Sequence, residues 1–266
     1  MRYITFVFIL AAASLTGCTN YLYYAPNQVN VPLLKDKKDA RISAGYSPGP
    51  SVLAADVQLA YALAPHVGVI ASASGARSVE EFEIQQKDSD EASSRMRMLE
   101  VGAGYFTAFT KKDKLILEIY GGAGLGDSRQ FYTYWNSTSQ SDTKGRNTFG
   151  LRKVFLQPSL GFIPNRSFEL AFGSRISGIF FSLRDAGYSN QNDSDEYGEM
   201  LQIDAKKLFI FLEPSLKLSV GRKVRFWISV DGPFPIGRKV SNLTDTSYPN
   251  FRFGILFKLS GQKDNS

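Results

Sequence analysis

Cysteine and histidine are almost absent, with one of each in 266 residues. One cysteine excludes a disulfide scaffold and a cysteine-based zinc site, and one histidine excludes most histidine-rich metal sites. We therefore expect neither a metal nor a cofactor. Beyond the N-terminus, no apolar run approaches the roughly 20 residues that a spanning helix needs, which excludes an α-helical membrane protein.

Charge of either sign is spread along the chain without blocks, and the formal net charge is +6. This pattern predicts no nucleic-acid partner. Hydrophobic residues make up 43% of the chain, which is too much for a disordered protein.

The N-terminus has the features of a lipoprotein signal peptide over residues 1–17. Arg2 gives a short positive region, residues 4–13 are apolar, and the sequence Leu-Thr-Gly-Cys ends at Cys18. These last four residues resemble the lipobox of bacterial lipoproteins, which implies a lipid anchor on Cys18 and palmitate among its acyl chains. Acyl chains contribute about 0.8 kcal/mol per buried CH₂ to membrane anchoring. The alternative is a signal peptide that is cleaved elsewhere and merely contains a cysteine.

Residue 19 is Thr and not the Asp that marks inner-membrane retention in well-studied lipoproteins, so this resemblance implies outer-membrane localisation. Residues 18–38 include Pro26 and Pro32 and few periodic apolar positions, which predicts a lipidated extended tether. A β-barrel domain is predicted over residues 39–261, followed by a C-terminal tail over residues 262–266.

The dominant pattern of the body is alternation of apolar and polar residues, which indicates strands with one apolar face. In residues 207–220, the even positions from Leu208 to Val220 are apolar or Pro, and the odd positions include Glu213 and Lys217. About ten such strands are predicted, each near the 9–11 residues that a tilted membrane strand needs. The predicted fold is all-β, an antiparallel up-and-down transmembrane β-barrel of about ten strands.

Short and long connections alternate along the predicted barrel. Short turns are expected at residues 64–66, 110–113, 164–167 and 221–222, and long polar loops at residues 76–94, 127–148, 184–206 and 232–249. Short periplasmic turns and long outer loops are typical of outer-membrane barrels. With an even number of strands both termini lie on the short-turn side, which predicts a lipid anchor on the periplasmic side.

The chain resembles small outer-membrane β-barrel lipoproteins of Bacteroidota. The resemblance rests on the lipobox, a Pro-containing segment at residues 25–34, the strand at residues 58–63, and the paired sequences Gln-Pro-Ser-Leu at 157–160 and Glu-Pro-Ser-Leu at 213–216. It covers most of the mature chain and implies a location and a fold but no settled activity.

The polar face of the predicted strands carries charges of both signs in near balance. In a narrow barrel such side chains pair and fill the lumen, and the alternative is a pore lined by fixed charges. The set comprises Asp56, Glu100, Glu118, Glu169, Glu213 and Asp231 with Arg41, Lys153, Arg175, Lys217, Arg225, Arg252 and Lys258.

Two features invite a catalytic or nucleotide-binding interpretation. His66 is a candidate general base, but it lies at a predicted periplasmic turn, so we expect no catalytic residue. The glycine-rich residues 121–126 continue a strand with no helix after them, which excludes a Rossmann phosphate site and indicates small residues that make room for large neighbours.

Two long loops have distinctive composition. Residues 190–199 contain Asp193, Asp195, Glu196 and Glu199, which favour a solvated acidic loop over a calcium site, because the spacing is not that of an EF-hand. The aromatic residues at 131–135 are either a binding patch or, more in keeping with a barrel, part of its interfacial girdle.

These patterns predict a non-catalytic outer-membrane lipoprotein with an envelope structural role or a binding role for its long loops. Its expected partners are outer-membrane lipid and an extracellular ligand of unknown identity. The alternatives are a lipid-tethered, lipocalin-type carrier with its apolar face inward, a small pore, and an outer-membrane lipid-modifying enzyme.

Overall fold

The structure is a computed structural model that describes residues 23–48, 52–83, 89–109, 114–136, 141–188, 195–236 and 250–259. The predicted signal peptide, Cys18 and the C-terminal tail lie outside these residues. The elements, in chain order, are β1 (Ala40–Pro48), β2 (Val52–Ala64), β3 (Val67–Glu83), β4 (Ser89–Ala108), β5 (Leu115–Asn136), β6 (Ser141–Asn165), β7 (Phe168–Tyr188), α1 (Asp195–Lys206), β8 (Leu208–Gly221), β9 (Val224–Asp231), β10 (Phe234–Ile236) and β11 (Asn250–Leu259).

The strands form one closed antiparallel barrel. Each strand from β1 to β8 pairs with the next, and β11 pairs with both β9 and β1 to complete the ring. The short β10 continues the line of β9 along β8 after an interruption at Gly232 and Pro233, where Pro has no backbone N–H to donate. With β9 and β10 counted as one interrupted strand, the barrel has ten strands, and the prediction of an antiparallel up-and-down transmembrane barrel of about ten strands is confirmed.

The alternation found in the sequence sets the two faces of the wall. Apolar side chains point outward, as with Phe226 (69% exposed) and Leu125 (66% exposed), whereas Glu213 and Lys217 are buried in the lumen. An apolar exterior with a polar interior is the pattern of a membrane barrel. It is the reverse of the lipocalin-type carrier considered from the sequence.

Two predicted long loops are largely strand, so those two predictions are wrong. β3 continues to Glu83 and β4 begins at Ser89, while β5 continues to Asn136 and β6 begins at Ser141. These extensions carry polar residues on both faces, as at Arg77 on the outside and Ser78 on the inside, so the apolar alternation that marks a strand is missing there. The wall formed by β3–β7 is therefore taller than predicted.

A helix follows β7 on the long-loop side. In α1, Met200 and Ile203 are buried in a cluster with Phe181 and Phe209, so the helix packs against aromatic side chains of the barrel. Lys207 adopts a positive φ of 58° where the helix ends and β8 begins. No helix within the described part of the chain is long and apolar enough to cross a membrane.

Candidate functional site: an occluded lumen

The residues predicted as a tether lie inside the barrel. Residues 23–34, the lumenal segment, are extended without strand pairing, and every one of their side chains is buried. The sequence predicts a tether between membrane and barrel over residues 18–38, whereas the structure has residues 23–34 buried inside the barrel. The lumen is therefore filled by the chain's own N-terminal part as well as by wall side chains.

The lumenal segment runs from the long-loop end to the short-turn end. The hydroxyl groups of Tyr23 and Tyr132 form a hydrogen bond of 3.0 Å, and the rings of Tyr23 and Phe149 meet edge to face. Tyr132 and Phe149 both lie in the half of the wall near the long loops. At its other end, Leu34 contacts Gly68, which is next to the β2–β3 turn. The chain then turns, with the Lys38 amide donating to the Ala62 carbonyl at 2.9 Å, and enters β1.

Wall side chains hydrogen-bond the backbone of the lumenal segment, which has no strand partner of its own. Five of its carbonyl groups each accept a hydrogen bond from a wall side chain. The pairs are Pro26 with Arg252 (2.6 Å), Asn27 with Arg175 (3.1 Å), Gln28 with Gln58 (2.8 Å), Asn30 with Gln157 (2.8 Å) and Leu33 with Arg41 (2.8 Å). A buried backbone group without a partner is costly, so these contacts make the lumen a fitted site for this segment.

Glu118 binds the end of the lumenal segment that lies near the short turns. Its fully buried carboxylate accepts hydrogen bonds from the backbone amides of Leu33 (3.1 Å) and Leu34 (2.9 Å). The short-turn end of the segment is thus fixed through its backbone and not only through apolar packing.

Four wall residues form an ion-paired cluster around the half of the segment that lies near the long loops. Lys153 Nζ lies 2.8 Å from Glu100 Oε1 and 3.4 Å from Glu213 Oε2, and Arg175 pairs with both of these acids. The segment joins this cluster, because the Tyr24 hydroxyl donates to Glu213 Oε1 at 2.7 Å. Two acids and two bases balance, as buried charges require.

Arg175 also recognises the segment directly. Its Nη2 donates to the side-chain oxygen of Asn27 at 2.7 Å, and the Asn27 amide donates to Glu100 at 2.9 Å. A void bounded by Asn30, Glu100 and Arg175 has a volume of about 10 Å³, which is room for about one water molecule.

Two further ion-paired groups line the lumen. Arg41 forms two hydrogen bonds to Glu169 (2.8 and 3.2 Å), and Arg225 lies 3.5 Å from the same carboxylate. Arg252 lies 3.6 Å from Asp56 and 3.4 Å from Asp231. The predicted pairing of lumenal acids with lumenal bases is thus seen across strands, and Lys217 instead lies over the Trp227 ring, 5.0 Å from its centroid.

Small residues make room for large ones in the lumen, as predicted for the glycine-rich part of β5. A Cβ atom on Gly122 would collide with the Phe155 ring, and one on Gly45 would lie 2.6 Å from the Trp227 ring. These aromatic rings therefore occupy volume that the glycines leave empty.

The other candidate residues lie apart from this site. His66 has a positive φ of 68° at the β2–β3 turn, and its Nδ1 lies 3.0 Å from the Phe106 carbonyl oxygen. Phe131 is exposed on the outside of the wall, where a girdle residue belongs, whereas Tyr132 points into the lumen. Of the acidic group, Asp193 lies outside the described residues, and α1 begins at Asp195.

Among the described residues, no group of three or more His, Cys, Asp or Glu side chains is arranged to hold a metal ion.

The sequence signal for the lumenal segment was present but weak. Val29, Val31 and Leu33 alternate with Asn30 and Pro32, which gives the period of a strand. Inside a lumen, however, a strand-like chain is enclosed on all sides, so Gln28 and Asn30 are buried too. Periodicity alone therefore does not distinguish such a segment from an irregular linker.

No protein-family model matches the chain, and no curated protein matches its sequence. Solved structures with a similar fold include the translocator domain of autotransporter NalP from Neisseria meningitidis (10% identity, 82% of this chain and 86% of that chain, TM-score 0.47). They also include the outer-membrane protease OmpT from Escherichia coli (8% identity, 84% and 94%, TM-score 0.44) and a major outer-membrane protein from Thermus thermophilus (9% identity, 83% and 98%, TM-score 0.39). At these identities and TM-scores the likeness is limited to the general barrel fold. The closed antiparallel sheet of this chain, with an apolar exterior and a charged interior, makes it a transmembrane-type β-barrel.

Proposed function

We propose that this protein is a non-catalytic, lipid-anchored outer-membrane barrel that is closed by its own N-terminal segment and acts in the envelope as a structural or loop-mediated binding protein. The observation that carries the proposal is the burial of the whole lumenal segment within a wall of ion-paired side chains. We infer that a lumen filled in this way is closed to solute, so residues 23–34 act as a plug.

An accessibility experiment tests the plug. In a Cys18→Ser background, Asn27→Cys introduces the chain's one thiol at the middle of the lumenal segment. We expect no reaction with a membrane-impermeant maleimide in the folded barrel and full reaction after unfolding. Lys37→Cys, at an exposed position beyond the segment, is the matched control and should react in both states. Rapid labelling of the folded Asn27→Cys protein would contradict the plug.

The lipid anchor on Cys18 belongs to the same proposal, but the direction of the lumenal segment supports a different side for it than the periplasmic one expected from the sequence. Tyr23 lies at the long-loop end, and residues 18 and 23 are five positions apart. Five residues span about 18 Å at most, whereas the hydrocarbon core is about 30 Å thick. With the long loops outside, acyl chains on Cys18 reach the outer leaflet and not the periplasmic one.

Epitope insertion tests the side of the anchor. An epitope placed after Asn20 should be labelled by antibody on intact cells. The same epitope placed after Arg222, in the turn between β8 and β9, should be labelled only after the outer membrane is permeabilised. Labelling of the residue-20 epitope only after permeabilisation would restore the periplasmic anchor.

A further inference from the structure

Among the described residues of the strands, basic side chains on the outside of the barrel are confined to one part of the wall. Among the described outward positions of β1, β2, β8, β9, β10 and β11, none carries a charge. On β3–β7 the described outward charges lie towards the long loops, and all are basic except Asp127 and Asp185. The basic set comprises Arg77, Arg95, Arg97, Arg129, Lys144, Arg146, Arg152 and Arg184.

Three of these arginines stand in a row across neighbouring strands. Arg77 of β3 is directly opposite Arg95 of β4, and Arg95 is directly opposite Arg129 of β5. Directly opposed residues on one face of a sheet have Cβ atoms about 5 Å apart, and like charges in that position are destabilising. The row therefore lowers the stability of the wall unless an anion lies against it.

The protein's own carboxylates only partly offset the repulsion among the three arginines of this row. Asp127 lies opposite Arg97 and 3.4 Å from Arg129 Nε. None of the ion pairs among the described residues includes Arg77, Arg95 or Arg97. The backbone positions of Glu81 and Glu91 are opposite each other, four residues nearer the long loops than Arg77 and Arg95. That separation is about 13 Å along the strand.

The arginine row lies where the apolar exterior ends. Leu99 is the next outward residue after Arg97 towards the short turns, and it is 65% exposed. Leu125 has the same relation to Asp127 on the neighbouring strand. The guanidinium groups are therefore at the level where lipid headgroups meet the hydrocarbon core.

A shallow groove adjoins the arginines on the outer surface. Its volume is about 240 Å³; it is lined by Tyr46 and Leu53 on one side and by Arg77 and Arg97 on the other, with Gly75 among the small residues between them. One edge of the groove is thus apolar and aromatic, and the other is cationic.

We propose that the arginine row and the groove beside it bind a phosphorylated glycolipid of the outer leaflet, with its phosphate on Arg77, Arg95 and Arg129 and its apolar part in the groove. Arginine pairs with phosphate through two parallel hydrogen bonds, so a phosphate between opposed arginines replaces their repulsion by attraction. The proposal rests on the proposed orientation with the long loops outside, and it is independent of the plug and of the anchor on Cys18.

Binding in detergent tests the site with phosphorylated lipid A as the probe and with dephosphorylated lipid A and inorganic phosphate as comparisons. We expect phosphorylated lipid A to bind the unmodified full-length protein and to raise its unfolding temperature, with at least ten-fold weaker binding by the other two. The triple variant Arg77→Gln, Arg95→Gln, Arg129→Gln should bind phosphorylated lipid A at least ten-fold more weakly. The matched control Arg166→Gln, Arg222→Gln, Lys223→Gln removes three charges at the short-turn end and should bind it normally.

The stability of the triple variant separates lost binding from failure to fold. Because the substitutions remove opposed like charges, the variant should be at least as stable as the unmodified protein in lipid-free detergent, and its advantage should disappear when phosphorylated lipid A is added. Equal binding by the two triple variants would overturn the site, and so would a triple variant that fails to fold without lipid. Inorganic phosphate bound as tightly as lipid A would also overturn it, because the groove would then contribute nothing.

Discussion

Removing the charge of Glu213 should destabilise the barrel by about 3 kcal/mol. In Glu213→Gln the side-chain volume is kept, but Lys153 and Arg175 are left with Glu100 as their one acidic partner in the cluster. Breaking a buried ion pair by removing one partner costs about 3–5 kcal/mol. The new amide can still accept the hydrogen bond from Tyr24, so the lower end of that range is expected.

The assay is urea unfolding of the protein in detergent, followed by the electrophoretic shift between folded and unfolded barrel. Asp185→Asn is the matched control, because Asp185 pairs with Arg146 on the exposed outer surface. Exposed ion pairs contribute about 0–1 kcal/mol, so this variant should unfold close to the unmodified protein.

A second substitution tests the reason for the loss. Adding Lys153→Met to Glu213→Gln leaves one acid and one base in the cluster. The free energy of unfolding lost by the double variant should therefore be about 1–3 kcal/mol smaller than the sum of the losses in the two single variants. The account of the cluster is refuted if Glu213→Gln costs no more than Asp185→Asn, or if the two lumenal substitutions are additive.

Three further outcomes are expected. Cys18→Ala should abolish incorporation of labelled palmitate while the protein still needs detergent for extraction; undiminished labelling would reject the anchor, and extraction without detergent would reject the membrane barrel. Leu216→Arg, on the outer face in the middle of β8, should lower the stability of the bilayer-inserted barrel by roughly 2–4 kcal/mol, with Leu216→Met as the control, and equal urea midpoints for both would reject the lipid-facing assignment. Gly45→Ala should cost about 1–3 kcal/mol by overpacking against Trp227, which the same urea titration measures, and an unchanged midpoint would show that the ring has room to move.

The faces of the barrel could be predicted because alternation is a local property of the chain. Leu216 and Lys217 are adjacent, and on a strand adjacent side chains point to opposite sides of the sheet. Once one side is assigned to lipid, the lumenal positions of Glu100, Arg175 and Glu213 follow. Which of these charges form ion pairs depends on the register between strands, and register cannot be derived from the alternation of residues within one strand.

The polar extensions and the plug could not be predicted for two different reasons. Strand pairing beyond the membrane, as between Ser78 and Ser94, has water on the outside and does not need an apolar face. The lumenal segment depends on contacts with residues far along the chain, such as Gln28 with Gln58 and Asn30 with Gln157. Its extended conformation follows from its prolines, but its place inside the barrel follows from the wall.

The steady ion current through purified protein in planar bilayers tests the central claim, which is that the N-terminal segment closes the lumen. The mature chain should give no steady current. A chain lacking residues 19–34 loses the partners of Glu118, Gln58 and Gln157 and should give a reproducible current through the vacated lumen. A stable, ion-selective current from the intact chain would contradict the plug and favour a pore.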